Sequence, residues 1–153
     1  MFKNRCEWCL GNELYINYHD LEWGVPTTDD QALFELLTLE SFQAGLSWLT
    51  VLKKRTNFRK AFVNFEIQAV AEFSSEQVSE LLNNKGIIRH QAKIEAAIAN
   101  ARAIIEIQKK YGSFSAFIWS YVNHKAIQNE FTKLAEVPSQ TETSKKLSKD
   151  LKQ

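Results

Sequence analysis

The sequence predicts an all-α fold, and three observations predict it. Side-chain capping signals recur along the chain, apolar residues repeat at helical spacing behind them, and no alternating strand pattern runs longer than a few residues. Thr28-Asp29-Asp30-Gln31 reads as a capping box that opens a helix carrying Leu33, Phe34, Leu36, Leu37 and Ala44, interrupted at Gly45. A second helical segment carries Leu46, Leu49, Leu52 and Phe58 toward Phe62. Ser74-Ser75-Glu76-Gln77 is another box, leading Val78, Leu81 and Leu82, with Gly86 placed to end the helix. From about His90 to Lys109 runs a long amphipathic helix with Ile94, Ala97, Ile98, Ala101, Ile104 and Ile105 on one face. Gly112-Ser113 restarts the chain for a helix through Phe117 and Trp119, and Ser139-Gln140-Thr141-Glu142 caps a last one. That last helix offers only Leu147 and Leu151 for burial, and most helix stability comes from packing an apolar face. It reads either as part of an element whose partner is missing or as a frayed basic tail of Lys145, Lys146, Lys149 and Lys152.

A chain of 153 residues suffices for one domain with a sizeable core, expected to span 1–153. Apolar residues make up 44% and charged residues 24%, which excludes an intrinsically disordered class. No apolar run approaches the ~20 residues of a membrane span. The opening Met1-Phe2-Lys3-Asn4-Arg5-Cys6 is not followed by the apolar stretch of a secretory signal, so a cytoplasmic location is expected. Net charge is +1, from 19 basic and 18 acidic residues. This balance neither requires nor excludes nucleic acid, because a DNA-acting protein needs a local basic face only. Lys53-Lys54-Arg55-Thr56-Asn57-Phe58-Arg59-Lys60 could be such a face, or a solvated helix surface.

Glu40 is the first residue that points to chemistry. It lies seven residues after Leu33, three after Leu37 and four before Ala44, which places a carboxylate on an apolar helix face. Buried acids are costly unless paired, so a carboxylate there suits recognition of a cation or acid–base work; a glutamate at the helix rim is the alternative. Phe42, Gln43, Ser47 and Trp48 surround it in sequence, and Tyr15, Tyr18 and Trp23 lie upstream. Aromatics beside an acid suit a flat cationic ligand through stacking and cation–π attraction; an aromatic core with polar edges is the alternative. Cys6 and Cys9 form a Cys-x-x-Cys spacing near His19 and Asp20, a half-site for zinc without a second pair. A redox protein of the Cys-x-x-Cys type fits poorly, because no βαβ pattern surrounds the two cysteines.

Several of these stretches together resemble one family. They are Tyr15-Ile16-Asn17-Tyr18-His19-Asp20-Leu21-Glu22-Trp23-Gly24-Val25-Pro26, Leu39-Glu40-Ser41-Phe42-Gln43-Ala44-Gly45-Leu46-Ser47-Trp48, Gly86-Ile87-Ile88-Arg89-His90 and Trp119-Ser120-Tyr121-Val122-Asn123-His124. The family is DNA-3-methyladenine glycosylase I, and the resemblance runs from Cys6 onward. It implies a helical bundle of the helix-hairpin-helix DNA glycosylase group. It also implies hydrolysis of the N-glycosidic bond of 3-methyladenine in alkylated double-stranded DNA, by a monomer and without cutting the strand. Residue by residue, Glu40 is similar to the family's glutamate that contacts the methylated base. Tyr18 and Trp48 correspond to base-binding aromatics, with Trp8 and Tyr15 bordering the same pocket. Gln43 and Leu46 lie where family members push into the duplex. Cys6 and His19 correspond to two of four structural zinc ligands.

Members of that family continue beyond the length of this chain. The resemblance therefore implies that the DNA-gripping hairpin and two further zinc ligands, a histidine and a cysteine, fall outside it. Zinc occupancy and DNA affinity are expected to be reduced, and activity impaired. The alternative expectation is a catalytically inactive DNA- or protein-binding remnant of the family.

Overall fold

The computed structural model describes residues 4–152, and among them every regular element is helical. The residues outside this range are Met1, Phe2, Lys3 and Gln153, so the expectation about a leader, which begins at Met1, lies in part outside the described residues.

Among the described residues nine α-helices follow one another: α1 (Glu13–Leu21), α2 (Asp30–Gln43), α3 (Trp48–Lys53), α4 (Arg55–Ala61), α5 (Ile67–Ala71), α6 (Ser75–Leu82), α7 (Gln91–Tyr111), α8 (Phe114–Trp119) and α9 (Glu142–Leu151). Short 3₁₀ turns join several of them, including Glu7–Cys9 before α1. Helix α7 is the post around which the rest packs. It buries Ile94, Ala97, Ile98, Ala101 and Ile104 along one stripe, against α5 above all and also against α2, α6 and α8. Each buried isoleucine contributes roughly 1.5–3 kcal/mol, so this stripe alone explains why a helix of alternating polar and apolar residues forms here. Six phenylalanines fill the space beside it. Phe42 lies 4.9 Å from Phe58, Phe62 is stacked on Phe65 at 5.4 Å and on Phe73 at 6.0 Å, and Phe34 meets Phe65 edge-on at 5.9 Å.

The caps follow local chemistry. Helix α6 begins with the Ser74–Gln77 capping box as expected, and α7 ends at Gly112 with φ 89°, a conformation that glycine adopts without strain. Four expectations are corrected. The cap of α2 is Asp29, whose carboxylate accepts from Ala32 N at 2.9 Å, and not Thr28. The last helix is capped by Thr141, boxed with Ser144, and not by Ser139. Helix α6 stops at Asn83, three residues before Gly86, which lies in the following turn against the Asn57 side chain. The segment expected to run unbroken from Leu46 to Phe62 is two helices, because the chain turns at Lys54 to bring Phe58 and Phe62 into the core. Helices α1 and α5 were not expected.

Two elements carry the anchoring of the bundle's ends. Asp30, in the first turn of α2, accepts from Gln108 Nε2 at 2.8 Å and from the backbone N–H groups of Phe114 (3.0 Å) and Ser115 (2.8 Å). One carboxylate thus closes the N-terminus of α8 and ties α2 to α7. Helix α9 buries no residue, as its sparse apolar content implied. It is fastened through Tyr121, whose phenol donates to Asp150 at 2.5 Å; that bond pushes the phenol up to about 12.

Candidate active site

The second half of α2 shows how a carboxylate can be presented without being sunk in the core. At about 100° per residue, Phe34, Thr38, Leu39 and Phe42 fall on one side of the helix and are buried. Leu33, Leu36, Leu37, Glu40 and Ala44 fall on the other. Glu40 does share its face with the leucines, as the spacing indicated, but this is the helix's second apolar stripe and it stays open. Leu33 and Leu37 are half-buried, while Leu36, Glu40 and Ala44 are exposed. The expectation that the spacing withdraws Glu40 from water is corrected accordingly. The carboxyl is nonetheless raised above the ordinary glutamate value, because the surrounding protein displaces part of its water. Among the described residues no cation or hydrogen-bond donor pairs with Glu40.

The Glu40 charge reaches Tyr18 on α1, and the Tyr18 ring in turn meets rings from α3 and from the turn before α1. Tyr18, buried on α1, faces Trp48, buried at the start of α3, with ring centroids 5.6 Å apart. Burial raises the Tyr18 phenol, the Glu40 charge nearby raises it further, and Glu22 adds to both; Trp48 and Arg55 act in the opposite sense. Trp8 completes the row, 6.4 Å from Tyr18 and 5.0 Å from Tyr15, with both rings packed on the core's edge. The five residues that the sequence reading assigned to base recognition, Glu40, Tyr18, Trp48, Trp8 and Tyr15, are therefore linked in one continuous cluster. Trp23 joins it, 5.4 Å from Trp8 and half exposed. The indole N–H of Trp48 is buried and makes no well-formed hydrogen bond within the protein. It stands near enough to Tyr18 to favour the ionised phenol, but not in bonding geometry. A buried donor without an acceptor costs about 1–3 kcal/mol unless a partner arrives from outside. Two surface clefts of about 560 and 590 Å³ lie elsewhere, beside α9, and hold none of these residues.

The turn between α2 and α3 places the other two expected residues. Ala44 (φ −51°, ψ 120°) and Gly45 (φ 82°) form a type II turn closed by Leu46 N donating to Gln43 O at 2.7 Å. The third position of such a turn needs φ above zero, which explains the glycine. Leu46 stands 42% exposed at the tip, and Gln43 is half-buried beside it. Ser47 then caps α3.

Ion pairs brace this face. Arg55 reaches both oxygens of Glu22, at 2.7 and 2.9 Å, and Arg59 binds Glu35 at 2.5 Å. Two cations of the basic stretch are thus structural. Lys53 and Lys60 are exposed, which leaves a smaller basic face than the sequence suggested. Arg5 grips Asp20 with three contacts of 2.9–3.1 Å, and Asp20 in turn holds His19 Nδ1 at 3.0 Å.

Cys6 and His19 come together, as the zinc expectation required, without a third candidate ligand placed with them for a metal ion among the described residues. Cys6 N–H donates to His19 Nε2 at 3.4 Å. Cys9 is buried with its thiol directed to Cys6 O at 3.1 Å. Among the described residues no group of three His, Cys, Asp or Glu side chains is placed to hold a metal ion. The described residues do not fit a closed four-ligand zinc centre.

Comparison with known proteins gives this geometry a context. Residues 8–153 match the family model described as methyladenine glycosylase. A DNA-3-methyladenine glycosylase of Haemophilus influenzae is 49% identical over 148 residues, which cover 97% of this chain and 80% of the relative. DNA-3-methyladenine glycosylase 1 of Escherichia coli K12 is likewise 49% identical, over 97% of this chain and 79% of its own length. Among solved structures, a tyrosine-to-phenylalanine variant of 3-methyladenine DNA glycosylase I in complex with 3-methyladenine superposes with a TM-score of 0.93 at 41% identity, covering 98% of this chain and 81% of that one.

Proposed function

We infer the function from one premise: the chain belongs to the methyladenine glycosylase family. It is a DNA glycosylase of base-excision repair that hydrolyses the N-glycosidic bond of 3-methyladenine. The alkylated base carries a positive charge, so its bond to the sugar is already weakened. When that bond breaks, its electron pair returns to the base and neutralises it. Water then supplies the oxygen that joins the sugar carbon and leaves an abasic site. The protein's task is to hold the cation and to stabilise the positive charge that develops on the sugar.

The observation that carries the assignment of residues is the unpaired Glu40 carboxylate standing beside the aromatic row. In our reading Glu40 recognises the cationic base and stabilises the oxocarbenium-like transition state, and Tyr18 and Trp48 stack against the base. The unpartnered Trp48 N–H supports this, since a flipped base offers it an acceptor. Trp8 and Tyr15 border the same site. A base must leave the stack to reach such a shelf, and Gln43 and Leu46 would fill the space that it vacates. The substrate we assign is duplex alkylated DNA, bound by a monomer, and no step is routed through a metal. No helix among the described residues is long and apolar enough to cross a membrane.

The test is release of 3-methyladenine from methylated duplex DNA by the purified chain, with Glu40→Gln as the control. Release that depends on Glu40 supports the assignment. A folded chain that binds free 3-methyladenine but releases none from DNA would move the reading to a binding remnant of the family.

A further inference from the structure

Helix α2 ends without a cap of its own. Its last residues give way directly to the Ala44–Gly45 turn, and the carbonyls of Phe42 and Ala44 face out of the helix terminus. Both are taken by one group from another helix: Lys93 Nζ donates to Phe42 O at 3.2 Å and to Ala44 O at 3.0 Å. Among the described residues Lys93 forms no ion pair. Its position is unusual for a lysine, because it lies in the first turn of α7, where the helix dipole disfavours a cation. Its backbone N–H is fixed by the cap, donating to His90 Nδ1 at 3.3 Å. The side chain is half-buried, and its ammonium sits where the negative end of α2 favours it.

The two carbonyls bracket the residues that matter. Gln43 lies between Phe42 and Ala44, Leu46 is bonded back to Gln43 O, and Glu40 is on the same last turn of α2. We propose that Lys93 is a positioning residue for excision from duplex DNA, clamping the end of α2 so that Gln43 and Leu46 are held at the height needed to enter the stack. This rests on the proposed function. A loose turn would still let Glu40 and the aromatics bind a base already out of the stack, but it would no longer hold the duplex open. Misplacement of a positioning group by about 1 Å can cost up to roughly 10²-fold in rate.

The experiment compares the full chain with Lys93→Met, Lys93→Arg and Leu46→Ala on methylated duplex DNA, on methylated single-stranded DNA and on free 3-methyladenine. Methionine keeps the aliphatic stem and removes the ammonium. The expected result is a fall of roughly tenfold or more in kcat/KM on duplex for Lys93→Met, with single-strand release and free-base affinity within about twofold of the unmodified chain. Lys93→Arg, which still donates to both carbonyls, recovers most of the loss. Leu46→Ala, at a residue 42% exposed at the tip of the turn, shows a loss on duplex of similar size. Equal losses on duplex, single strand and free base would overturn the proposal, since Lys93 would then act through the fold or the pocket. So would an undiminished duplex rate in Lys93→Met, or in Leu46→Ala should Lys93→Met not fold. If the unmodified chain releases no base from either DNA, the proposed function itself fails and this role falls with it.

Discussion

Replacing Glu40 by glutamine removes one charge at nearly constant shape, and the structure sets the size of the effect. At about 4 Å a carboxylate and a positive charge attract by about 1 kcal/mol in a water-like medium and by about 4 kcal/mol at an effective dielectric of 20. Glu40 is exposed, yet desolvated enough to raise its pKa, and Tyr18 lies near enough to feel its charge. An intermediate value of about 2–3 kcal/mol follows, which is roughly 30- to 150-fold in kcat/KM. The pH dependence has a definite sign. Excision requires the ionised carboxylate, so activity should fall as pH drops through a pKa lying above the ordinary glutamate value of 4.5, and Glu40→Gln should lack that limb. Stability should move the other way. A raised folded-state pKa means that ionised Glu40 costs nothing below the unfolded value and subtracts stability as pH rises through the folded one. Glu40→Gln should therefore melt no lower than the parent at neutral pH. The assay is release of labelled 3-methyladenine under single-turnover conditions across pH, with thermal melts on the same samples. Activity within about threefold of the parent, or a loss matched by a lower Tm, would refute the reasoning.

Asp30→Asn should lower stability by about 2–3 kcal/mol in urea melts, because three donors converge on the carboxylate and an amide can accept from only some of them. Burial alone would raise this carboxyl, but the bonds from Gln108, Phe114 and Ser115 bring it below its ordinary value. Its contribution should thus be complete above the unfolded pKa and vanish as pH falls through the folded one; Asp30→Asn should flatten that acid limb. Thr38→Val should be neutral or stabilising by up to about 1 kcal/mol, since the fully buried Thr38 hydroxyl has no hydrogen-bond partner. A clear loss of stability would show that the hydroxyl is bonded. Val63→Asn should gain about 0.5–1 kcal/mol, because the exposed Val63 holds φ 52° in a left-handed stretch shared with Asn64 and the buried Phe65, where a β-branched side chain is strained. An unchanged or lower urea midpoint would count against that strain.

The sequence was most legible where one signal decided the outcome. The stripe from Ile94 to Ile104, closed by Gly112, specifies α7 because no other arrangement buries those side chains together. Ser74 with Gln77 fixed the start of α6 for a similar reason. Adjacent candidates for one cap were not separable in this way. Thr28 and Asp29 both precede the periodic run, and the winner is the one whose oxygen meets Ala32 N in three dimensions. Helices α1 and α5 stayed hidden because they are short, nine and five residues, and the periodicity of so few residues does not single out a helix. Tyr18 is the one fully committed core residue of α1, and α5 is five residues long and held by α7.

Glu40 shows why a residue can be found by the right pattern and placed on the wrong side. A helix with one apolar stripe buries that stripe, so any acid on it is withdrawn from water. Helix α2 carries two stripes, and periodicity alone does not say which one faces the core. Bulk decides: Phe34 and Phe42 interlock with Phe58, Phe62 and Phe65, and the leucine stripe with Glu40 is left half open toward α1 and α3. That arrangement is the one a base-recognising acid needs. Full burial would protonate it and lose the charge, and full exposure would let water screen it. On the proposed reading, unmatched apolar surface beside a carboxylate is the signal of the site, and the aromatics of α1 and α3 turn it into a place for a flat cation.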